Sequence, residues 1–166
     1  MNNIFSTPLY QFPRIIKLIL FCVIINITIG VSIGLLYVAS TTHLSFMGTK
    51  EHFVGSEVNE DFGIPEKYPK PYSELLTTTH NHFISLTFIF IIIGSVFYFS
   101  SIVTEKAKSI LIIEPFISIF ITFGGIWLIS FGYPFFVYLI IPSGILMYVC
   151  FFIMSGSILY ELAIKK

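Results

Sequence analysis

Charge is what this sequence has least of. Of its 166 residues only 11% are Asp, Glu, Lys or Arg, where a water-soluble domain carries about 25%. Nine basic and nine acidic residues cancel, so no net field draws a nucleic acid or an acidic substrate. Cysteine is almost as scarce. Cys22 and Cys150 both fall inside apolar runs, and neither Cys-x-x-Cys nor Cys-x-x-Cys-His occurs. That excludes a disulfide framework, the usual zinc ribbons and c-type haem attachment. No Ser/His/Asp, nucleotide-binding or protease motif is present, so no catalytic residue is assigned and the chain reads as non-enzymatic.

What the sequence does have is long apolar runs. Hydrophobic residues make up 55% of the chain and the mean hydropathy is +0.90. A membrane-spanning helix needs about 20 mostly apolar residues. Four runs qualify, at about 15–39, 83–103, 110–131 and 135–159. The expected fold is all-α, one integral membrane four-helix bundle over residues 1–166. The first run is too long for the apolar region of a signal peptide and no clear Ala-x-Ala site follows, so it reads as a retained anchor.

The connections set the topology. TEKAKS joins spans two and three, and Gly132-Tyr133-Pro134 joins three and four. The only long connection is 40–79, acidic and rich in Pro, Gly and Tyr, with Pro65, Pro69 and Pro71 favouring an extended path. Arg14, Lys17, Lys106, Lys108, Lys165 and Lys166 gather on one side. Lys50, Lys67 and Lys70 lie on the other, diluted by Glu51, Glu57, Glu60, Asp61, Glu66 and Glu74. Lys and Arg favour the cytoplasmic side, which places both termini in the cytoplasm and the 40–79 loop outside.

Small and weakly polar residues pack helices together where no water drives association. At about 100° per residue they form one stripe per span. These are Cys22, Asn26, Gly30, Gly34 and Tyr37; His80, Thr87, Gly94 and Ser101; Glu114, Ser118, Thr122 and Gly125; and Ser143, Met147, Cys150, Met154, Ser157 and Glu161. All four stripes are expected to face inward. Met147, Cys150 and Met154 read as core filling rather than as soft-metal ligands.

The chemically suggestive residues are few. All four histidines, His43, His52, His80 and His82, lie in or beside the outer loop. If Thr77-Thr78-Thr79 caps a helix that already includes residue 80, His80 faces the bundle and His82 points about 200° away. If the segment is extended, both rings project to one side. A b-type haem would draw on His80, His82 and His43. A transition metal, for which imidazole is a suitable ligand, would draw on His80, His82 and His52. The competing reading is interfacial histidines bonded to backbone. Glu114 is an acid inside a span, which marks it for function, although a position near the span's start would let it pair with Lys106, Lys108 or Lys17. Asn26 is a second buried polar candidate, as an interhelical donor. Trp127 reads as an interfacial anchor.

THNHF at the entry to span two, EPF…GGIWL in span three and the Ser-Gly-containing fourth span resemble small four-span bacterial inner-membrane proteins of unassigned function. The resemblance implies a multi-pass protein of the bacterial inner membrane. Thr-His-x-His is also similar to membrane histidines of haem-containing respiratory proteins, which implies a redox setting. Three functions follow as expectations. The first is a non-catalytic component of a membrane complex, of respiratory or redox type, with a haem or metal site at the outer face. The second is a structural or assembly protein docking its partner through the outer loop. The third is a small oligomeric transporter or channel using Glu114. The partners are the lipid bilayer and other membrane subunits or further copies of the chain, and no nucleic acid.

Overall fold

A computed structural model describes residues 7–58 and 63–165. Glu60, Asp61 and Lys166, used above for orientation, lie outside the described residues. Five α-helices follow in order: α1 (Arg14–Thr42), α2 (Phe46–Val54), α3 (Tyr72–Phe97), α4 (Glu105–Ser130) and α5 (Val137–Ala163). No strand occurs among the described residues, only an isolated antiparallel bridge between Val58 and Pro65. Four of the helices, α1, α3, α4 and α5 extended back to Pro134, are long and apolar enough to cross a membrane. The protein is therefore an all-α, multi-pass membrane protein.

The helix ends follow local chemistry. Pro13 and Pro71 immediately precede α1 and α3, where a fixed φ and a missing N–H cost nothing. Thr104 caps α4, its hydroxyl accepting from the Ala107 N–H at 3.4 Å. Ser45 caps α2, accepting from Gly48 N–H at 3.0 Å. Gly132, at φ +95°, turns the chain between α4 and α5. α3 begins at Tyr72, well before the apolar run at 83. Hydropathy missed this start because Ser73–His82 is polar, yet its side chains bond back to the preceding turn. Thr77 Oγ1 donates to Ser73 O at 2.9 Å and the His82 ring meets Thr78 O at 2.9 Å, the local bonding that lets Ser and Thr sit in a helix.

α4 and α5 are the most extensively packed pair, and α3 leans on both. The core is Phe90, Ile93 and Phe97 of α3, Ile119, Phe123 and Ile129 of α4, and Phe151, Met154 and Ile158 of α5. Gly125 brings α4 close to α5, since a Cβ there would meet Ile140 Cγ2 at 2.2 Å. Ser143 Oγ donates to Ser118 O at 3.2 Å, and Thr122 Oγ1 donates to Ser143 Oγ at 3.3 Å across the same contact. The expected inward stripes of spans three and four are thus the ones that pack.

Span one behaves differently. α1 rests on α5 and α2 alone among the major contacts, and of its 29 residues only Ile24 and Thr42 are buried. It packs with Leu20, Phe21, Ile24, Ile27 and Val31. Cys22, Asn26, Gly30, Gly34 and Tyr37 are all exposed on the opposite side. The expectation that this stripe faces the bundle is wrong: large apolar side chains do the packing here.

The long connection is also more ordered than its prolines imply. α2 folds back over the bundle against α1, α4 and α5, with Phe46 stacked on Tyr138 at 4.7 Å. Ser56 N–H donates to Lys67 O at 2.9 Å and Lys70 N–H to Phe53 O at 3.1 Å. These bonds tie the returning strand of loop to α2. The four spans place both termini at one end, where Lys165 Nζ lies 5.0 Å from the Tyr10 ring.

Candidate functional site

The four histidines share the loop end without converging. His80 and His82 both lie inside α3 and both are exposed. Residues two positions apart on a helix are separated by about 200°, so these two cannot chelate one ion together. It is His82 that leans toward the bundle, its ring 5.9 Å from Phe123. The contact to Thr78 O requires a proton on Nδ1. His80 lines an outward groove with Asn81, Ile84 and Phe88. His43 closes α1 in the left-handed region, at φ 51° and ψ 22°, and is exposed. His52 is half-buried on α2, edge-on to Phe53. Burial, and after it the charges of Lys70 and Lys67, hold its imidazole below the ordinary 6.5, against a smaller opposing effect of Glu74. Among the described residues no three His, Cys, Asp or Glu side chains come close enough to hold a metal ion.

Glu114 lies in the N-terminal half of α4. α4 starts at Glu105 rather than at 110, so at about 1.5 Å per residue Glu114 lies roughly 5 Å from the helix midpoint. Two of the three cations expected as partners are engaged elsewhere. Lys108 pairs with Glu105 at 2.8 Å and lies over the Tyr98 ring, and Lys17 donates to Tyr10 O at 3.3 Å. Glu114 Oε1 accepts from Ser118 Oγ one turn on. Oε2 is buried and has no partner. Cys150 of α5 faces the same carboxyl.

A second buried acid was visible in the sequence as one member of a stripe, and no role was read for it. Glu161, on the last turns of α5, is fully buried. Its Oε1 accepts from Ser100 Oγ at 2.7 Å and from Ser101 N–H at 2.6 Å, and its Oε2 accepts from Ser101 Oγ at 3.3 Å. Lys165 Nζ donates to the Ser101 hydroxyl at 2.7 Å. The carboxyl therefore pins the α3–α4 connection to α5. The N-terminal segment joins the same knot, with Leu9 N–H donating to Phe99 O at 3.1 Å and Phe12 edge-on to Phe99. A Ser-Ser pair in a short connection, facing an acid near a helix end, was the available signal. Pairing them needed the parallel register of α3 and α5, which brings the C-terminal ends of both helices together.

At the loop end, Trp127 Nε1 donates to Thr79 Oγ1 at 3.0 Å, and its ring meets Tyr72 edge-on. Trp127 thus ties α4 to the polar start of α3.

On α1, Asn26 Nδ2 donates to Cys22 O at 2.7 Å. No hydrogen bond to its side-chain oxygen occurs among the described residues. Beside it, a Cβ added at Gly30 or Gly34 would meet nothing within 4 Å.

Compared with known families, residues 43–166 match the model of Aq_1264_TM, described as a transmembrane helical domain. The chain belongs to the Aq_1264_TM family. The match takes in α2 to α5 and leaves α1 outside it. No curated protein and no solved structure matches the chain.

Proposed function

We propose that this Aq_1264_TM protein is a non-catalytic membrane subunit that assembles with another membrane helix through the outward face of α1. The observation that carries this reading is Asn26, an amide on a membrane-spanning helix, exposed and with its oxygen unpartnered. In hydrocarbon such an oxygen finds no water, and an interhelical hydrogen bond is worth about 0.6–2 kcal/mol. Gly30 and Gly34 lie on the same exposed face with open space above them, which lets a second backbone approach closely. The α2 cap, by contrast, is already packed on the bundle, so the α1 face is a better docking surface than the outer loop. We place the terminal end in the cytoplasm of a bacterial inner membrane, on the Lys and Arg at that end.

Replacing both glycines, Gly30→Ile with Gly34→Ile, tests the reading. Both glycines are exposed and a Cβ at either meets nothing within 4 Å in the isolated chain, so the variant should accumulate in the membrane normally while its partner no longer co-purifies. Undiminished co-purification would refute docking through this face.

A further inference from the structure

The outward face of α1 carries more than Asn26 and its two glycines. Ile19, Cys22, Asn26, Ile29, Ile33 and Leu36 recur at alternating steps of three and four residues, the spacing of a coiled-coil seam. All six are exposed, and Ile19, Ile29, Ile33 and Leu36 are each more than half exposed. The seam lies opposite Leu20, Ile24, Ile27 and Val31, which hold α1 on the bundle. No Asp, Glu, Lys or Arg occurs between Lys17 and Lys50, so two copies of this face meet without like-charge repulsion. Asn26 lies two residues from the middle of α1, about 3 Å along the axis, where a bilayer holds no water to serve it. One N–H of its amide is engaged by Cys22 O, which leaves the other N–H and the oxygen.

We infer that the helix received by α1 is α1 of a second copy of this chain, in a parallel two-fold dimer along this seam; the inference rests on docking through α1. Copies inserted into one membrane share an orientation, so equal residues of the two helices face each other at equal depth. A two-fold contact is self-complementary, and so is what remains of the Asn26 amide. Each copy offers one N–H and one oxygen, and the pair closes a ring of two hydrogen bonds. A different subunit would have to bring such a group of its own to this depth. The seam repeats the same preference. Ile19, Asn26 and Ile33 stand seven residues apart, and isoleucine with a single asparagine at that position favours paired parallel helices in one register. Gly30 flanks the seam, with nothing above it to keep the second backbone away.

Cys22 lies on the seam and makes the test direct, since the other cysteine, Cys150, is buried. Facing cysteines of a close parallel pair come within disulfide reach. The full-length chain in native membranes is oxidised with copper–phenanthroline and its mass read without reductant. The wild type should give a species of twice the chain mass, and Cys22→Ser should not. On the Cys22→Ser background, Ile29→Cys should restore it and Val38→Cys, turned about 120° from Asn26, should not. Absence of the doubled species from both the wild type and Ile29→Cys would overturn the dimer, as would equal yield from Val38→Cys. In liposomes at falling protein-to-lipid ratio, energy transfer between labelled copies should show Asn26→Leu dimerising about 3- to 30-fold more weakly. An unchanged midpoint would overturn the amide pairing. A Gly30→Ile with Gly34→Ile variant that loses a partner, in a protein whose Cys22 and Ile29→Cys never self-link, would overturn the second copy and leave docking through α1 standing. A variant that keeps its partner overturns docking itself.

Discussion

Removing the Glu161 carboxyl should destabilise the whole bundle even though it lies near the last turn of the last helix. Its two short bonds, from Ser100 Oγ and Ser101 N–H, and the longer one from Ser101 Oγ hold a group with no solvent exposure. Hydrogen bonds to charged groups contribute about 1.5–3 kcal/mol each. Glu161→Ala removes all three and leaves the buried Ser100 hydroxyl without its acceptor, for a cost of about 3–5 kcal/mol. Glu161→Gln keeps one acceptor oxygen for Ser100 and Ser101 N–H and loses only the charge assistance and the long bond, for about 1–2 kcal/mol. Unfolding can be followed in mixed detergent micelles by the fluorescence of Trp127, the single tryptophan, which sits at the opposite end of the bundle. A shift at that distance reports global stability. If Glu161→Ala matches the wild type within about 0.5 kcal/mol, the carboxyl is not the pin described. If Ser101 N–H exchange rises while the Trp127 transition stays put, the knot is local and does not couple to the bundle.

Other perturbations follow from close contacts and charge. Gly48→Ala would put a Cβ 2.1 Å from the Thr42 carbonyl oxygen; backbone cannot yield there cheaply, and thermal unfolding should show a loss of about 2 kcal/mol or more. Gly125→Ala meets Ile140 Cγ2 instead, and the overpacked α4–α5 contact should cost about 1–3 kcal/mol in the same assay. His52 binds a proton less well when folded than when unfolded, so its contribution is fully present above pH 6.5 and is lost as pH falls toward the depressed value. Proteolysis of the segment after α2 should therefore accelerate below about pH 6.5. His52→Gln should remove that dependence, and an unchanged profile in the variant would assign it to other groups.

The membrane fold was legible because four long apolar runs leave few alternatives, and spans three and four were legible down to their packing stripes. The rule behind those stripes, that small and polar residues face inward, fails on α1 because it cannot tell an interior from an unpaired exterior. Gly30 and Gly34 suit a helix contact either way. The histidines were legible as a loop-end group, but their mutual angle depended on where α3 begins. The polar residues before Phe83 hid a helix that starts at Tyr72. The charged TEKAKS segment likewise proves to be the cap and first turn of α4. The role of Glu161 is not legible in the sequence, because its partners lie some 60 residues away.

The mass of the species extracted from native membranes tests the assembly reading most directly. Released gently into the gas phase, the wild-type chain should appear bound to at least one further membrane protein, another copy or a different subunit, and never chiefly as a free chain of 18.9 kDa. A wild-type protein that emerges alone, carrying lipid only, would contradict a subunit whose α1 face is built to meet another helix.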